Sequence, residues 1–364
     1  MNHERREFIA KTIASGVALA ALGTRPAQAQ DTQHEMPGSN PGTKALMSMF
    51  ELKYPIFQAP TATVAGADVT IAVSRAGALG AIGLTWTPPE AARGIVSKIK
   101  TATNRPFAVN YVLAFEPASL PAVLEAGAPV IQFSWGMPDK QLVSAVRNSG
   151  ARLGVQVTSA GSARRALDLG ADYLVCQGTE AGGHVQAHRP LIEALREVLA
   201  EAKQTPVVAS GGIGNGEGIR EALLAGASGG MLGTRFVATV ESQAHAEYKQ
   251  ALIRANANDT VLTVCFEGGW TNASHRVLRN STFNNWESAG CPPVGRRPGE
   301  GEVVATRAPD RKFSRYSMAT ASFGTEGSVT ELALYAGRSV EAIRDIPAAG
   351  ELVDRLWVEC LSAA

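Results

Sequence analysis

Short apolar runs recur along the chain, and the segments between them carry apolar residues at helical spacing. The runs predict strands over 55–60, 78–84, 107–113, 130–135, 152–157, 173–177, 206–210 and 230–236. They are nearly continuous in Val, Ile, Leu and Ala, the pattern of strands buried on both faces in a parallel sheet. Helix boundaries support the alternation. Pro88-Pro89-Glu90 opens one helix, Ser159 caps another that ends at Gly170, and the segment 217–224 stops at Gly226. The related strings AGALGAIG, SGARLGVQV, LGADYLVCQG and AGASGGMLGT each place a small-residue turn between a helix and a strand. Eight strand–helix units in series predict an α/β fold, a (β/α)₈ TIM-type barrel. A doubly wound sheet is the alternative, and it needs a reversal of strand order that nothing in the sequence marks.

The rhythm breaks at both ends. Residues 256–311 are rich in Gly, Pro and Arg, and helical periodicity resumes over 325–361. This predicts a barrel over 44–255 and an appended C-terminal helical or irregular region over 256–364 that covers the barrel mouth. At the other end, Arg5-Arg6-Glu7-Phe8 precedes an Ala/Gly-rich apolar stretch over 9–22 and then Ala27-Gln28-Ala29. Residues 1–29 therefore read as a twin-arginine signal peptide, and 30–43 as a polar linker. The apolar stretch is shorter than the ~20 residues of a membrane span, so a stable anchor is not expected. The expectation is export through the twin-arginine machinery to the periplasm.

Composition narrows the function. The 364 residues are 45% hydrophobic and 18% charged, enough for one large core. Lys and Arg number 34 against 33 Asp and Glu, which gives no basic field for nucleic acid. Cys176, Cys265, Cys291 and Cys360 show no CxxC spacing, so no zinc site is indicated; a Cys265–Cys291 bridge stays open.

In such a barrel the C-terminal strand ends converge on one face, where ligands bind. Strand seven runs into Ser210-Gly211-Gly212 and strand eight into Met231-Leu232-Gly233-Thr234. Backbone N–H groups bared by glycine beside a helix start form a cradle for a phosphate. Strand six runs through Gln177 into a glycine-rich loop that presents His184, whose ordinary pKa of about 6.5 suits proton transfer or anion binding. His188 reads as an ordinary loop histidine. Gln58, Asn110, Gln132 and Gln156 are amide candidates for a ligand's polar edge, and Ser134-Trp135-Gly136 fits packing or pocket equally.

The strings YPIFQAP, PFAVNYVL, VIQFSWGMP, GADYLVCQGTEAGGH, VVASGGIGNGEGIREALLAGASGGMLGTRF and RVLRN occur in the order found in the nitronate monooxygenase (2-nitropropane dioxygenase) family. The chain resembles that family over about 46–357. The resemblance implies FMN at the barrel mouth, held by Asn110, Gln177, Gly182, Gly212 and the Met231, Leu232, Gly233, Thr234 run. It implies that His184 is catalytic and that no metal is needed. The implied reaction oxidises alkyl nitronates, and extends to nitroalkanes, with O₂ to a carbonyl compound and nitrite. Four positions depart from the family pattern: Thr61 replaces a frequent methionine, Gln156 a frequent lysine, HVQAHRP follows the histidine in place of an HRG-type segment, and AGRS replaces AGQS. An FMN-dependent NAD(P)H reductase of quinones or enoyl thioesters, and a non-enzymatic flavin or small-ligand carrier, are the alternative readings.

Overall fold

A computed structural model describes residues 39–61 and 63–363. The twin-arginine segment and most of the linker lie outside those residues. Eight parallel strands form one sheet: Ile56–Gln58, Gly80–Gly83, Phe107–Val112, Val130–Ser134, Arg152–Val157, Tyr173–Gln177, Val207–Ser210 and Gly229–Leu232. In sequence order their arrangement is 1-8-7-6-5-4-3-2. A parallel bridge between Phe57 and Leu79 joins the two ends and closes the barrel. Leu79 N–H donates to Ile56 O and Gln58 N–H to Leu79 O, each at 2.9 Å. The doubly wound alternative is thereby removed.

The seam also explains Gln58. Its side chain is fully buried, accepts from Ala81 N–H at 2.8 Å and donates to the Ala59 carbonyl. It fastens strand one to strand two and does not reach the mouth, so its sequence reading as a ligand amide is corrected.

One apolar layer lies between the strands and the surrounding helices, and a second fills the barrel itself. A helix over Pro41–Phe50 closes the end opposite the mouth, with Phe50 edge-on to Phe57 and Tyr173 at ring distances of 6.0 and 5.4 Å. Asn40 caps this helix by accepting from Thr43 N–H at 2.7 Å, and Pro41 starts it. The expected linker over 30–43 therefore overlaps a helix, because a polar cap and a proline head an apolar face.

Three further expectations change. The run 230–236 is a strand only to Leu232; Thr234–Val237 is a short helix. Its Arg235 side chain turns into the protein, 2% exposed, and meets Asp345 at 2.8 Å. The helical periodicity over 325–361 is realised only in Ala349–Ser362. The rest is the strand Thr325–Gly327 and two short 3₁₀ turns, because Gly337 must pack backbone to backbone against Gly182. Finally, Ala349–Ser362 packs against the helices Ala67–Arg75 and Gly216–Leu224, which follow strands one and seven. It is the eighth helix of the ring, delivered after a long excursion over the mouth. That excursion contains an antiparallel pair, Thr260–Thr263 with His275–Leu278, extended by Gly183–His184. It also contains a second small sheet, Val303–Arg307, Arg311–Ser314 and Thr325–Gly327.

Candidate active site

A cavity of about 890 Å³ opens at the C-terminal strand ends, between the barrel and the excursion. No carboxylate side chain lines it among the described residues.

Its floor is a run of buried amides contributed by strands three to six. Gln132 Nε2 donates to Asn110 Oδ1 at 3.1 Å, and Asn110 Nδ2 to Ser134 Oγ at 3.2 Å. Tyr173 O–H donates to Gln132 Oε1 at 3.2 Å. Gln177 Oε1 accepts from Gln186 N–H at 2.8 Å, while its Nε2 donates to the His184 carbonyl at 3.3 Å. Gln156 donates toward Gln177 at 3.4 Å and to Gln186 Oε1 at 3.1 Å. These amides hold one another at fixed angles, which presents a neutral edge of donors and acceptors to a ligand.

One wall is backbone. Gly211 and Gly212 take φ of +121° and +76°, conformations that glycine adopts without strain. The N–H groups of Gly211, Gly212, Gly233 and Thr234 find no acceptor among the described residues. Unpaired N–H groups at a cavity wall are costly unless water or an anion meets them. Thr234 Oγ accepts from Gly337 N–H at 2.9 Å and keeps its own hydrogen free to donate. The expected set is thus largely brought together: Asn110, Gln177, Gly182, Gly212, Met231, Gly233, Thr234 and His184 all line the cavity. Leu232 does not. Its side chain packs between strands and helices, and its carbonyl is taken by Ala59 N–H, because alternate residues of a strand face opposite sides. Gly182 lines the cavity, yet its missing Cβ serves packing; a Cβ there would sit 2.4 Å from Gly337 N.

His184 sits in an aromatic box. Trp270 stacks on its ring at 4.4 Å and 21°, with Tyr335 at 5.5 Å, His275 at 5.3 Å and Trp135 at 6.2 Å. His184 Nε2 is buried without a hydrogen-bond partner among the described residues. Burial, reinforced by the neighbouring His275, pushes its pKa down to about 3, so the value of about 6.5 expected from the sequence is corrected. The imidazole is neutral at neutral pH. His275 is fully buried, with Nδ1 at 2.9 Å from the Ala273 carbonyl and Nε2 accepting from Phe266 N–H at 3.1 Å. Those partners fix His275 as the neutral Nδ1–H tautomer, and burial holds its pKa at about 4.

Sequence reasoning missed Trp270, Tyr335, His275 and Gln186 as site residues. Trp270, Tyr335 and Gln186 lie outside the helices and named strands, and His275 heads the short strand that pairs with His184; each is a single aromatic or polar residue with no spacing to mark it. Trp135 is a wall residue, at φ +56°. His188 is exposed and away from the cavity. Of the departures, Thr61 and Gln156 line the cavity, Gln186 accepts from Gln156 behind that lining, and Arg338 is exposed outside it. All four cysteines are free thiols, so the Cys265–Cys291 bridge is not formed.

A closed parallel barrel with a phosphate-ready backbone wall, an amide floor and a buried neutral histidine defines a flavin oxidoreductase of the TIM-barrel class. The sequence profile of the nitronate monooxygenase family matches residues 43–121 and 117–359, and the chain belongs to that family. It is 31% identical over 357 residues to the nitronate monooxygenase of Pseudomonas aeruginosa, covering 84% of this chain and 96% of that one. Among solved structures, FabK from Thermotoga maritima superposes with a TM-score of 0.70 at 27% identity, covering 86% of this chain and 95% of that one. The nitroalkane oxidase of Streptomyces ansochromogenes superposes with a TM-score of 0.69 at 28% identity, covering 87% of this chain and 97% of that one.

Proposed function

We propose that this chain is an FMN-dependent enzyme that oxidises alkyl nitronates, and through them nitroalkanes, with O₂ to a carbonyl compound and nitrite. The observation that carries this reading is the buried His184 Nε2, without a partner among the described residues, in a cavity that none of their carboxylates lines. A lone polar atom in that setting lacks a partner that substrate would supply.

The residues present fit FMN. The four bare N–H groups and the Thr234 hydroxyl would take its phosphate, and the Asn110 and Gln177 amides would meet the polar edge of its ring system. FMN supplies the electron transfer and the reaction with O₂. The protein's own part is binding and proton handling. A nitronate carries one negative charge, and no lining carboxylate repels it. In one tautomer His184 Nε2 donates to the nitronate oxygen; in the other it accepts the α-proton of a neutral nitroalkane. Trp270 and Tyr335 keep water from the imidazole, which strengthens a hydrogen bond from it to the nitronate and disfavours the imidazolium that proton abstraction would form.

The likeness to the Pseudomonas aeruginosa nitronate monooxygenase and to the Streptomyces nitroalkane oxidase supports the substrate class. The test is an anaerobic absorbance spectrum of the flavin-loaded protein, mixed separately with propyl-2-nitronate and with NADPH. Bleaching by nitronate alone is expected. Bleaching only by NADPH would favour a reductase, and absence of flavin bands after loading would remove the cofactor.

We also propose that the chain is exported by the twin-arginine route, on Arg5-Arg6 and Ala27-Gln28-Ala29. A reporter fused after Ala29 should reach the periplasm, and should stay inside when both arginines become lysine.

A further inference from the structure

The loop between the strands Thr260–Thr263 and His275–Leu278 carries Trp270 to the cavity. Around the indole the loop is poorly packed: Gly268, Gly269, Thr271 and Asn272 are all exposed. Two tight turns form its tip, with Trp270 N–H donating to Glu267 O at 2.8 Å and Ala273 N–H to Trp270 O at 3.2 Å. The place of the indole is therefore set by what holds the stem.

Two side chains brace that stem. Arg297 Nη1 donates to Cys265 O at 3.0 Å, and its Nη2 donates to the Glu267 carboxylate at 2.9 Å. The second brace is the fully buried His275 ring, which ties one side of the loop to the other: Nε2 accepts from Phe266 N–H while Nδ1–H donates to the Ala273 carbonyl. One imidazole thus joins the residue before the two turns to the residue that ends them. Losing either tie would leave a buried polar group unpaired, so the span between Phe266 and Ala273 is held at the width of the ring.

His184 depends on that loop. A working acid–base group is ordinarily oriented by a hydrogen bond from a third group. His184 Nε2 has no partner among the described residues, and the ring lies instead against the face of Trp270 at 4.4 Å and 21°. Trp270 is in turn backed by Trp135 at 4.6 Å and Phe115 at 5.0 Å. His275 is also the register partner of His184 in the strand pair, although it does not line the cavity. The same residue sets the backbone at His184 and the indole stacked on it.

We propose that His275 is a positioning residue of the active site: by tying Phe266 to Ala273 it sets Trp270 against His184, and so fixes the plane in which His184 meets substrate. What His184 does there rests on the nitronate reading; what His275 does rests on the loop geometry alone. An ordinary core histidine would stabilise the fold and do nothing through Trp270.

The experiment compares the FMN-loaded natural chain with H275L, H275N, W270A and H275L/W270A, by steady-state turnover of propyl-2-nitronate, circular dichroism and thermal unfolding. H275L loses both ties, whereas the H275N amide keeps a donor toward Ala273. In H275L kcat should fall about tenfold or more, with KM changed less, since misplacing a reacting group by about 1 Å costs up to about 10²-fold. H275N should recover part of the loss. With Trp270 already removed, H275L should change kcat less than about twofold, the behaviour of a residue acting through another. The exciton couplet of the Trp135–Trp270 pair should vanish in H275L as fully as in W270A, and return in part in H275N.

A couplet unchanged in H275L, or an equal kcat loss with and without Trp270, would overturn the proposal and leave His275 a core residue. A lower melting temperature of H275L is expected from either role; if that variant does not fold, H275N and H275N/W270A carry the same comparisons. Absence of nitronate turnover in the natural chain would overturn the nitronate reading, and the couplet alone would then decide for or against His275.

Discussion

Gln156 Nε2 donates to Gln186 Oε1 across 3.1 Å, and the same oxygen accepts from Trp135 N–H at 3.1 Å. Two positions that depart from the family pattern are therefore in contact. With glutamine where lysine is frequent, strand five adds no cation to the site, and the segment after His184 answers with an amide. Gln186→Ala leaves the Gln156 amide and the Trp135 N–H without their acceptor, at a cost of about 1–3 kcal/mol. Thermal unfolding should show the drop, and Gln186→Glu, which restores an acceptor, should recover part of it. Equal melting temperatures for all three proteins would show that water replaces the contact.

His184→Ala should lower kcat/KM for nitronate by about 10²–10⁴-fold, the range for loss of a positioned acid–base group, while FMN stays bound. Stopped-flow reduction and flavin absorbance separate the two. A folded His184→Ala protein with undiminished turnover would assign the chemistry to other groups.

The two buried histidines give a signed pH dependence. Both folded pKa values, about 3 for His184 and about 4 for His275, lie below the ordinary value of about 6.5. Between those limits the unfolded chain binds more protons than the folded one, so stability rises with pH through the window and is lost on acidification. Denaturant titrations at pH 7 and pH 5 should show the natural protein weaker at pH 5. The gap should narrow in His184→Asn, and an unchanged gap would mean that other groups dominate.

Gly182→Ala drives a Cβ to 2.4 Å from Gly337 N and 2.7 Å from the Ala336 carbonyl carbon. Backbone cannot yield there as a flexible side chain would, so a loss of about 1–3 kcal/mol or more is expected. Gly150→Ala, whose Cβ meets nothing within 4 Å but whose φ is +78°, separates backbone strain from crowding. The crowded variant should be the less stable of the two by urea unfolding.

Thr234→Val removes the acceptor of Gly337 N–H and the free hydroxyl hydrogen at the phosphate wall. FMN affinity should fall, and Thr234→Ser should restore most of it. Fluorescence of released flavin on dilution measures this, and equal retention in Thr234→Val would place the phosphate elsewhere.

The barrel was legible because buried parallel strands write themselves as continuous apolar runs, and because Ser159, Pro89 and Gly170 punctuate the helices where capping and left-handed backbone need them. Glycine-bearing strand ends marked the cavity. The amide of Gln58 misled, since a polar residue near a strand end reads the same whether it faces a ligand or a seam. Leu232 misled because a motif names consecutive residues while a strand shows alternate ones to the site. The aromatic box could not be read at all: His275 reaches His184 through a strand pair between segments far apart in sequence, and Trp270 and Tyr335 through tertiary packing of irregular chain. The periodicity over 325–361 failed for a similar reason, as the contact of Gly337 with Gly182 outweighs local helix preference.

The place of Ala349–Ser362 in the helix ring has a topological consequence. The polypeptide that forms the mouth wall leaves the barrel after strand eight and is returned to it by that helix, so it is pinned at two ends, like a strap buckled on both sides. Such a wall has no single hinge about which to swing. Local rearrangement within the strap, not a swing about one hinge, is the motion such a wall permits, and fraying of the helix that returns it to the barrel would slacken the roof over His184.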